Sequence, residues 1–392
     1  MLQNFPIIKN ISDVLPFIDG YPEFRVHERD GFTVIDYMIS TSDTFKDTDP
    51  KKLAIRRECR GIAFDNETGN IVSRPFHKFH NVGENEYSQM NDIDLNEPHI
   101  LETKEDGSMV RSIRVGKSYR LGTRAGITEH AMAAEVFVAK NPVYHDFIQE
   151  YSSLGYTCIF EWLSDDPTHQ IVLKHKEPEL VLTAVRDNIS GQYLNINLIA
   201  PDLRKVDQRT KVNNIKTLVE RIKGMENEEG VVIKFADGRW FKMKTDWYVK
   251  LHHGIDLIRF EKDVIKMILD GTVDDVYPAL CEGDTERIKR YAKALIDHLN
   301  HTSEMIVALS NAAKSKGQSR EDVAAFHDFH TKNKTFKAFH SVAMSHFRSQ
   351  EPDDAFVWNG LAQLILKKCG SQTDIDAIRF NMLGGLNYKD FK

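Results

Sequence analysis

The sequence has no long apolar run and few cysteines, and both shortages exclude classes of protein. No window approaches about 18 uninterrupted apolar residues, so no membrane-spanning helix is predicted. The first residues lack a basic start followed by a long apolar stretch, so a secretory signal is not predicted. The four cysteines are scattered without zinc-ligand or disulfide-framework spacing. That pattern indicates a reducing cytoplasm.

An excess of positive charge is also missing. The formal net charge is −6 and the sequence pI is about 6.3, which counts against a protein that only coats nucleic acid. A local basic cleft stays compatible with this composition, because an acidic chain can concentrate its lysines where phosphates bind. No G-x-x-x-x-G-K-S/T segment occurs in the sequence, so a P-loop kinase is not supported.

Hydrophobic patterning along the 392 residues predicts two domains of different class. Up to about residue 245, short runs rich in β-branched and aromatic residues alternate with turns, which is typical of a mostly antiparallel α+β domain. After residue 254, apolar residues recur at helical spacing and β-rich runs are few. We therefore expect an α+β domain over 1–254 and an all-α domain over 255–392.

The segment Lys104-Glu105-Asp106-Gly107-Ser108 carries the first candidate for chemistry. A lysine at the end of a strand, followed at once by a tight turn, can be held rigidly beside a nucleotide. Lysine attacks phosphorus only as the free amine, so we expect burial or neighbouring cations to lower the pKa of Lys104. The alternative is an ordinary surface hairpin with solvated charges, since Asp-Gly turns are common.

Other charged residues in the α+β region favour the nucleotide-binding interpretation of Lys104 over the surface hairpin. Lys242 and Lys244 share one face of a predicted strand, where two like charges repel unless an anion lies between them. Glu229 begins a neighbouring predicted strand, and Glu161 lies within a strongly apolar one. A carboxylate such as Glu161 needs a partner, a ligand hydroxyl or a metal. The alternatives are a solvent-exposed strand face for the lysines and a buried salt bridge for Glu161.

Together these segments resemble the motifs of the covalent nucleotidyltransferase superfamily of ligases and capping enzymes, in the same order. The motifs are Lys104–Ser108, Phe160-Glu161-Trp162, Leu180 to Asp187, Glu229-Gly230 and Lys242-x-Lys244. The sequence is most similar to the RNA ligase 1 family of bacteriophages, the tRNA-repair ligases. Segments outside the shared motifs carry that resemblance: Glu58–Ile62, Arg74–Phe79, Thr245–Tyr248 and Leu251-His252. The resemblance covers roughly residues 30–254.

The resemblance implies a role for each candidate residue. Lys104 would be the nucleophile that takes AMP from ATP, and Lys242 and Lys244 would neutralise charge on the α-phosphate. Further contacts to the nucleotide are implied for Arg60 and Lys78 at the triphosphate, Glu161 at the ribose, and Arg124 near the nucleotide. Glu229 would be the carboxylate of a Mg²⁺ site, with Mn²⁺ as a possible substitute.

The resemblance also implies the reaction and its partners. An ATP-dependent RNA ligase joins a 3′-hydroxyl to a 5′-phosphate through lysyl-AMP and RNA-adenylate. The implied substrate is a tRNA with a broken anticodon loop, and the implied partner is a kinase–phosphatase that prepares the ends. The implied location is the cytoplasm, that of the host cell for a bacteriophage-encoded protein. The nucleotidyltransferase domain would come first and an RNA-specificity domain second.

Two competing functions and three weaker signals remain on the sequence alone. The chain could be a DNA ligase or capping enzyme, although those carry a β-barrel after the last motif, or a non-catalytic RNA-binding or damage-sensing module on the same fold. His327 and His330 share a predicted helix face without further metal ligands. The phenylalanines around them favour a helical core over a base-stacking platform, and the basic segment 331–337 favours a solvated loop over an RNA contact.

Overall fold

The computed structural model describes residues 5–37, 44–45, 49–166, 169–280, 282–317, 319–332, 337–349 and 354–391. The chain divides into two compact units, Met1–Val249 and Lys250–Lys392. We call them the N-terminal unit and the helical unit. The sequence-based boundary of 254/255 lies inside a helix, Asp246–Ile258, which the division at 249/250 also crosses.

The described strands of the N-terminal unit form three four-stranded sheets. The first sheet is an antiparallel meander of β1 to β4. Its strands are β1 (Phe24–Glu28), β2 (Phe32–Tyr37), β3 (Ile62–Asp65) and β4 (Ile71–Ser73). Ile35 and Tyr37 from β2 pack with Ile62 and Phe64 from β3 in a buried cluster. The apolar faces of alternating strands thus give this sheet its own core.

The second sheet, which we call the lysine sheet, has the order β5-β12-β11-β6. Its strands are β5 (His80–Asn81), β6 (His99–Lys104), β11 (Gly230–Phe235) and β12 (Trp240–Lys244). Strands β6, β11 and β12 pair in antiparallel fashion, as expected, whereas the two residues of β5 run parallel to β12. Leu101, Val231 and Met243 lie in the buried cluster of this sheet.

The third sheet has the antiparallel order β10-β9-β7-β8, and we call it the β9 sheet. Its strands are β7 (Ser108–Val115), β8 (Ser118–Gly122), β9 (Tyr156–Leu163) and β10 (Glu179–Asp187). Alternating residues of β9 and β10, such as Phe160 and Leu180, join a large buried cluster. Ala131 and Ile148, from the helical segments between β8 and β9, complete that core.

Among the described residues, six helices lie within the N-terminal unit, and a seventh, Asp246–Ile258, crosses its boundary with the helical unit. They are α1 (Leu15–Ile18), α2 (Pro50–Glu58), α3 (Glu129–Lys140), α4 (Pro142–Ser153), α5 (Ile196–Ile199), α6 (Ile215–Lys223) and α7 (Asp246–Ile258). Two 3-10 turns cover Ile11–Asp13 and Met90–Asp92. Helix α2 begins at Pro50, which suits a first helical position, and the Asp49 carboxylate accepts from the backbone N–H groups of Lys51 and Lys52.

The helical unit contains no strand among its described residues, so the expectation of a helical C-terminal region is confirmed. Its helices are α8 (Glu261–Leu269), α9 (Glu282–Lys314), α10 (Arg320–Lys332), α11 (His340–Arg348), α12 (Asp354–Leu366) and α13 (Gln372–Met382). The 3-10 turns are Val273–Ala279 and Tyr388–Asp390. No helix in the described residues is long and apolar enough to span a membrane.

Aromatic residues fill the core of the helical unit. Phe326, Phe339 and Phe347 are buried in its hydrophobic cluster, which supports the core interpretation of these three rings over a base-stacking platform. The core interpretation is wrong for Phe329, which is 44% exposed. Phe336 lies outside the described residues, as does part of the basic segment 331–337. His327 lies 2.7 Å from His340, measured between Nδ1 and Nε2. No group of three or more metal-ligating side chains occurs in the described residues.

Candidate active site

The turn that follows Lys104 is held by buried hydrogen bonds. Asp106 is buried, and its Oδ2 accepts from the backbone N–H groups of Val172 at 2.9 Å and Leu173 at 2.6 Å. The Tyr248 hydroxyl donates to Asp106 Oδ1 at 2.7 Å. A Cβ on Gly107 would lie 2.5 Å from the Trp162 carbonyl oxygen, so only glycine fits there. Lys104 therefore leaves β6 on a fixed turn, as the sequence predicts.

Strand register aligns Lys104 with the later motifs. Lys104 on β6 pairs with Gly230 on β11, and Gly230 pairs with Lys244 on β12, so the three residues form one row across the lysine sheet. Gly230 has φ +152°, and a Cβ there would collide with the Met243 carbonyl. This row brings together residues that lie more than a hundred positions apart in the sequence.

Glu229 lies between the two lysines of that row. Its Oε2 is 2.7 Å from Lys104 Nζ and its Oε1 is 3.0 Å from Lys244 Nζ. The Glu229 side chain is only 4% exposed, whereas Lys104 and Lys244 are 23% and 29% exposed. A buried carboxylate is thus held by two cations that are themselves partly exposed to solvent.

The pKa of Lys104 does not follow the expectation from the sequence. Burial acts to lower the pKa of this ammonium, but the charges of Glu229 and Glu161 outweigh it, so the pKa is raised above its ordinary value. The expected lowering is therefore wrong for this structure. The raised pKa favours the ammonium form of Lys104, and the free amine would form only if the ion pair with Glu229 were broken.

Lys242 is the lysine whose pKa falls. Burial is the largest cause, and the positive charges of Lys104, Arg60 and Lys78 add to it, lowering the pKa to about 8. Lys242 also lies 5.9 Å from the centroid of the Phe79 ring. The crowding of cations around Lys242 marks a place where an anion would be strongly stabilised.

Arg60 and Lys78 are two of the cations whose charges act on Lys242. Arg60 follows helix α2, and its buried Nη1 has no hydrogen-bond partner among the described residues. Lys78 lies 5.6 Å from the ring centroids of Tyr37 and Phe45, and 3.9 Å from the Glu84 carboxylate. An unpartnered guanidinium donor beside two lysines matches the bidentate contact that phosphate oxygens offer.

Glu161 on β9 provides a second carboxylate near Lys104. Burial raises its pKa to about 8, with Lys104 and Arg60 acting to lower it and Glu229 to raise it. Glu161 is therefore near enough to Lys104, Glu229 and Arg60 for their charges to act on it. A carboxylic acid that is mostly protonated near neutral pH can donate a hydrogen bond as well as accept one.

Arg124 lies at the edge of this group of residues. Its Nε is 3.0 Å from Asp36 Oδ2, and its guanidinium lies 5.0 Å from the centroid of the Tyr37 ring. Burial raises the pKa of Asp36, while Arg124 and Arg60 act in the opposite direction. Asp36 thus lies near both arginines, and the role of Arg124 toward a nucleotide stays a prediction.

A metal ion would find an incomplete set of protein ligands here. In the described part of the chain, no three histidine, cysteine or acidic side chains converge on one point. Mg²⁺ commonly takes one or two carboxylates and completes its shell with phosphate oxygens and water. Glu229, with Glu161 nearby, fits that limited role, in which the nucleotide would bring most of the ligands.

Sequence reasoning missed a buried ion cluster in the N-terminal unit. Glu58 is 1% exposed, and both its oxygens bind the guanidinium groups of Arg74 and Arg186, at distances from 2.8 to 3.1 Å. These two arginines lower the pKa of Glu58 to about 2 despite its burial. All three residues fall in segments that carry the family resemblance, but spacing along the chain gave no signal of their contact.

Comparisons with known proteins agree with the motifs. The family model described as RNA ligase matches residues 58–251. A putative RNA ligase of Thermovibrio ammonificans is 29% identical over 71% of this chain and 75% of its own length. RNA ligase 1 of bacteriophage TS2126 is 25% identical over 81% of this chain and 80% of its own.

Solved structures show a more distant similarity. An archaeal ATP-dependent RNA ligase is 14% identical, covers 65% of each chain and has a TM-score of 0.43. The matched segment of the family model, residues 58–251, contains Arg60, Lys104, Glu229, Lys242 and Lys244. The family match over residues 58–251 and the two relatives support a bacteriophage-type RNA ligase family for this chain.

Proposed function

We propose that this protein is an ATP-dependent RNA ligase in which Lys104 forms a covalent adduct with AMP. The observation that carries the proposal is the row of Lys104, Gly230 and Lys244, with Glu229 bound to both lysines. Lys104 would be the nucleophile of this row, and Lys244, one strand beyond Gly230, would be the charge-stabilising cation. The match to the RNA ligase family model independently supports RNA as the substrate.

In the first step, the Lys104 amine attacks the α-phosphorus of ATP. A nitrogen–phosphorus bond forms, the bond to the bridging oxygen breaks, and pyrophosphate leaves with the electron pair. Lys104 must first lose a proton, so the ion pair with Glu229 has to open in the reactive state. Lys242 and Lys244 would neutralise charge that builds on the α-phosphate, and Arg60 and Lys78 would hold the triphosphate tail.

The next two steps use the same phosphate-binding surface. The RNA 5′-phosphate attacks the AMP phosphorus and displaces Lys104, which produces RNA-adenylate. An RNA 3′-hydroxyl then attacks the 5′-phosphate, releases AMP and seals the strand. Each step is a displacement at phosphorus, so Lys242 and Lys244 can serve all three. Glu161 would contact the ribose of the nucleotide.

A divalent cation is part of the proposal through Glu229. This carboxylate would bind Mg²⁺, or Mn²⁺ in its place, together with oxygens of the nucleotide and water. Such an ion supplies compensation for phosphate charge. The protein's own contribution is the buried oxygen atoms of Glu229, held in position by the strand start at Gly230.

The helical region is proposed to select the RNA. None of the proposed nucleotide contacts lies in the helical unit, and contacts remote from the reacting phosphate are a common source of substrate preference. The substrate we propose is a tRNA broken in its anticodon loop. A kinase–phosphatase that converts the broken ends to 3′-hydroxyl and 5′-phosphate would act before it, in the cytoplasm of the cell that contains the tRNA.

A protein truncated after Ile258 tests that division of roles. It should still form the AMP adduct on Lys104, and it should lose preference for a nicked tRNA over a simple single strand. Sealing rates on both RNAs would be compared for the full-length and truncated proteins, after circular dichroism has shown that each is folded. An unchanged ratio of the two rates would rule out the specificity role.

The decisive experiment for the enzyme itself is covalent labelling. Purified protein is incubated with α-labelled ATP and Mg²⁺, denatured and run on a gel, and the labelled peptide is identified by mass spectrometry. Label on Lys104 is expected. A folded protein that stays unlabelled yet binds RNA would favour the second candidate, a non-catalytic RNA-binding module.

A further inference from the structure

A cavity of about 650 Å³ lies at the far end of the sheet face that carries Lys104. The register of the lysine sheet places Ile100, Lys234 and Trp240 in one row, and all three line the cavity. Lys104 is four residues further along β6, about 13 Å from Ile100. Lys104 does not line this cavity. One face of one sheet therefore carries both the reactive lysine and a separate cavity.

A buried apolar cluster forms the inner wall of the cavity. Phe76, Ile159, Ala184 and Trp240 pack together, and they come from both the lysine sheet and the β9 sheet as well as from the segment before β5. Ala184 and Trp240 also line the cavity. None of the residues proposed to hold ATP lines the cavity, so a molecule bound in it would be a different molecule from the ATP at Lys104.

Two aromatic rings and a neutralised ion pair make up the floor. The rings of Tyr193 and Trp240 have centroids 4.4 Å apart and an interplanar angle of 32°. Lys234 Nζ lies 4.3 Å from the Trp240 ring, 2.5 Å from Glu102 Oε2 and 3.2 Å from the Thr183 carbonyl oxygen. Since Lys234 and Glu102 compensate each other, the floor is aromatic and carries no net charge.

The rim has a different chemistry from the floor. It carries the exposed amide side chains of Gln192, Asn197 and Gln208 and the exposed ammonium of Lys211, whereas the Asn195 side-chain oxygen accepts from the Asn197 backbone N–H at the start of α5. Primary amides donate and accept at once, which is the pattern that the edges of nucleobases present. Lys211 supplies one positive charge to the rim, which suits a ligand with one phosphate.

We propose that this cavity binds one unpaired nucleotide, with its base against the aromatic floor and its phosphate near Lys211. The volume falls within the range of about 300–1,000 Å³ that small-molecule sites occupy. Unpaired bases are recognised by stacking on aromatic rings and by hydrogen bonds along their edges. The nucleotide belongs either to the RNA being joined or to a free pool. The choice of RNA rests on the proposed ligase function, whereas the nucleotide chemistry rests on the cavity.

A pair of neighbouring substitutions tests the proposal. Asn197→Trp places a large side chain on the rim, whereas Leu198→Trp adds the same ring to the next residue, which is 78% exposed and does not line the cavity. RNA affinity is measured by fluorescence anisotropy in EDTA, where no sealing occurs. Asn197→Trp should weaken binding about tenfold, the scale of one lost base-stacking contact. Leu198→Trp should bind like the wild type.

A charge reversal gives an independent variant. Lys211→Glu should also weaken RNA binding about tenfold, since it removes one charge-assisted contact and adds repulsion. Lys216→Glu, on the exposed face of α6, is its matched control for net charge. Adduct formation at Lys104 from labelled ATP should stay at the wild-type rate in all four variants, because none of these residues belongs to the proposed nucleotide site.

The two sources of the nucleotide are separated by calorimetry with AMP. A free-nucleotide site predicts two AMP molecules per wild-type chain and one per Asn197→Trp chain. An RNA site predicts one AMP in both, with the RNA affinity alone reduced. The proposal is overturned if Asn197→Trp and Lys211→Glu, both folded, match the wild type for RNA and AMP alike. A wild-type protein without the Lys104 adduct would refute the ligase proposal and leave these binding measurements unaffected.

Discussion

The N-terminal unit holds a glutamate between two cations in two places, and the surroundings of these clusters differ. Glu58 lies between Arg74 and Arg186, and all three side chains are at most 1% exposed. Glu229 lies between Lys104 and Lys244, which are 23% and 29% exposed. The first cluster is closed to solvent, while the two lysines of the second are partly exposed.

The two clusters differ in exposure because their remaining hydrogen-bond donors have different partners. The other N–H groups of Arg74 and Arg186 donate to backbone carbonyls, including those of Pro6, Ile189 and Gly191. Around the second cluster, the positive charges of Lys104, Arg60 and Lys78 act together on Lys242, and the opposing charge of Glu84 does not cancel them. A pair of opposite charges is therefore a poor mark of an active site. Uncompensated charge beside a partly exposed pair is a better one.

The largest expected effect of breaking the open cluster is at Lys104. Lys104→Ala should abolish the AMP adduct, because the amine is the covalent acceptor, and should reduce sealing of pre-adenylylated RNA much less. The two activities are measured separately, with labelled ATP and with RNA-adenylate. An adduct on the Lys104→Ala protein would show that another residue is the nucleophile.

Breaking the closed cluster should affect stability instead. Glu58→Gln leaves two buried guanidinium groups without a counter-charge, a change that costs about 3–5 kcal/mol. The control is Glu67→Gln on the exposed turn between β3 and β4, which should change stability little. Urea unfolding at pH 7 measures both variants.

The stability lost in the Glu58→Gln variant should depend on pH, and the direction of that dependence follows from the pKa of Glu58. The pKa of Glu58 is about 2 in the folded protein, below its ordinary value of 4.5. The contribution of the ionised Glu58 carboxylate to folding stability is complete above pH 4.5 and disappears as the pH falls toward 2. The stability difference between Glu58→Gln and the wild type should therefore shrink with acidification over that interval. A constant difference would mean that the carboxylate charge is not what the arginines require.

The two lysines on β12 should show an intermediate effect. Lys242→Ala and Lys244→Ala should each slow adenylylation by about 10²-fold, the usual scale for one lost preorganised charge contact. At least one of them should also slow sealing of pre-adenylylated RNA. Lys216→Ala on α6 serves as the exposed control. Wild-type rates in both β12 variants would mean that these lysines only face solvent.

The smallest expected effect is the pH response of Lys242. Its pKa of about 8 means that the free protein loses this charge as pH rises through 8, with a tenfold fall in the charged fraction per unit above it. The ratio of kcat/KM for ATP between the wild type and Lys242→Gln, which reports the free enzyme, should therefore fall between pH 7.5 and 9.5. A kcat/KM ratio that does not change with pH would mean that a residue other than Lys242 ionises in this range.

Local patterns in the sequence were enough for the strands and turns around the site. Period-2 alternation placed Lys242 and Lys244 on one face, and the Asp106-Gly107 turn after Lys104 was expected from its residues. Helices α2 and α4 were not predicted: α2 is rich in charge, and α4 directly follows α3 across Asn141. Their positions depend on packing that a single segment does not encode.

Contacts between residues far apart in the sequence could not be predicted from the spacing of residue types. Glu58 and Arg186 are 128 positions apart, and Asp106 and Tyr248 are 142 apart. The pKa of Lys104 could not be predicted for the same reason, since its sign depends on Glu229 and Glu161, which other strands deliver. The residue types indicated the chemistry, but the balance of charges required the fold.

The closed Glu58 cluster has a consequence for how such chains would evolve. Because Arg74 and Arg186 use their forked donors on both Glu58 and backbone carbonyls, neither position tolerates lysine without leaving a buried acceptor unmet. A descendant that had lost its chemistry would still be under selection to keep these three residues in order to fold. Arg60 and Lys242, which would serve only the reaction, would no longer be under that selection. The time since the activity was lost would therefore be reflected in substitutions at these two cations and not at the Glu58 cluster.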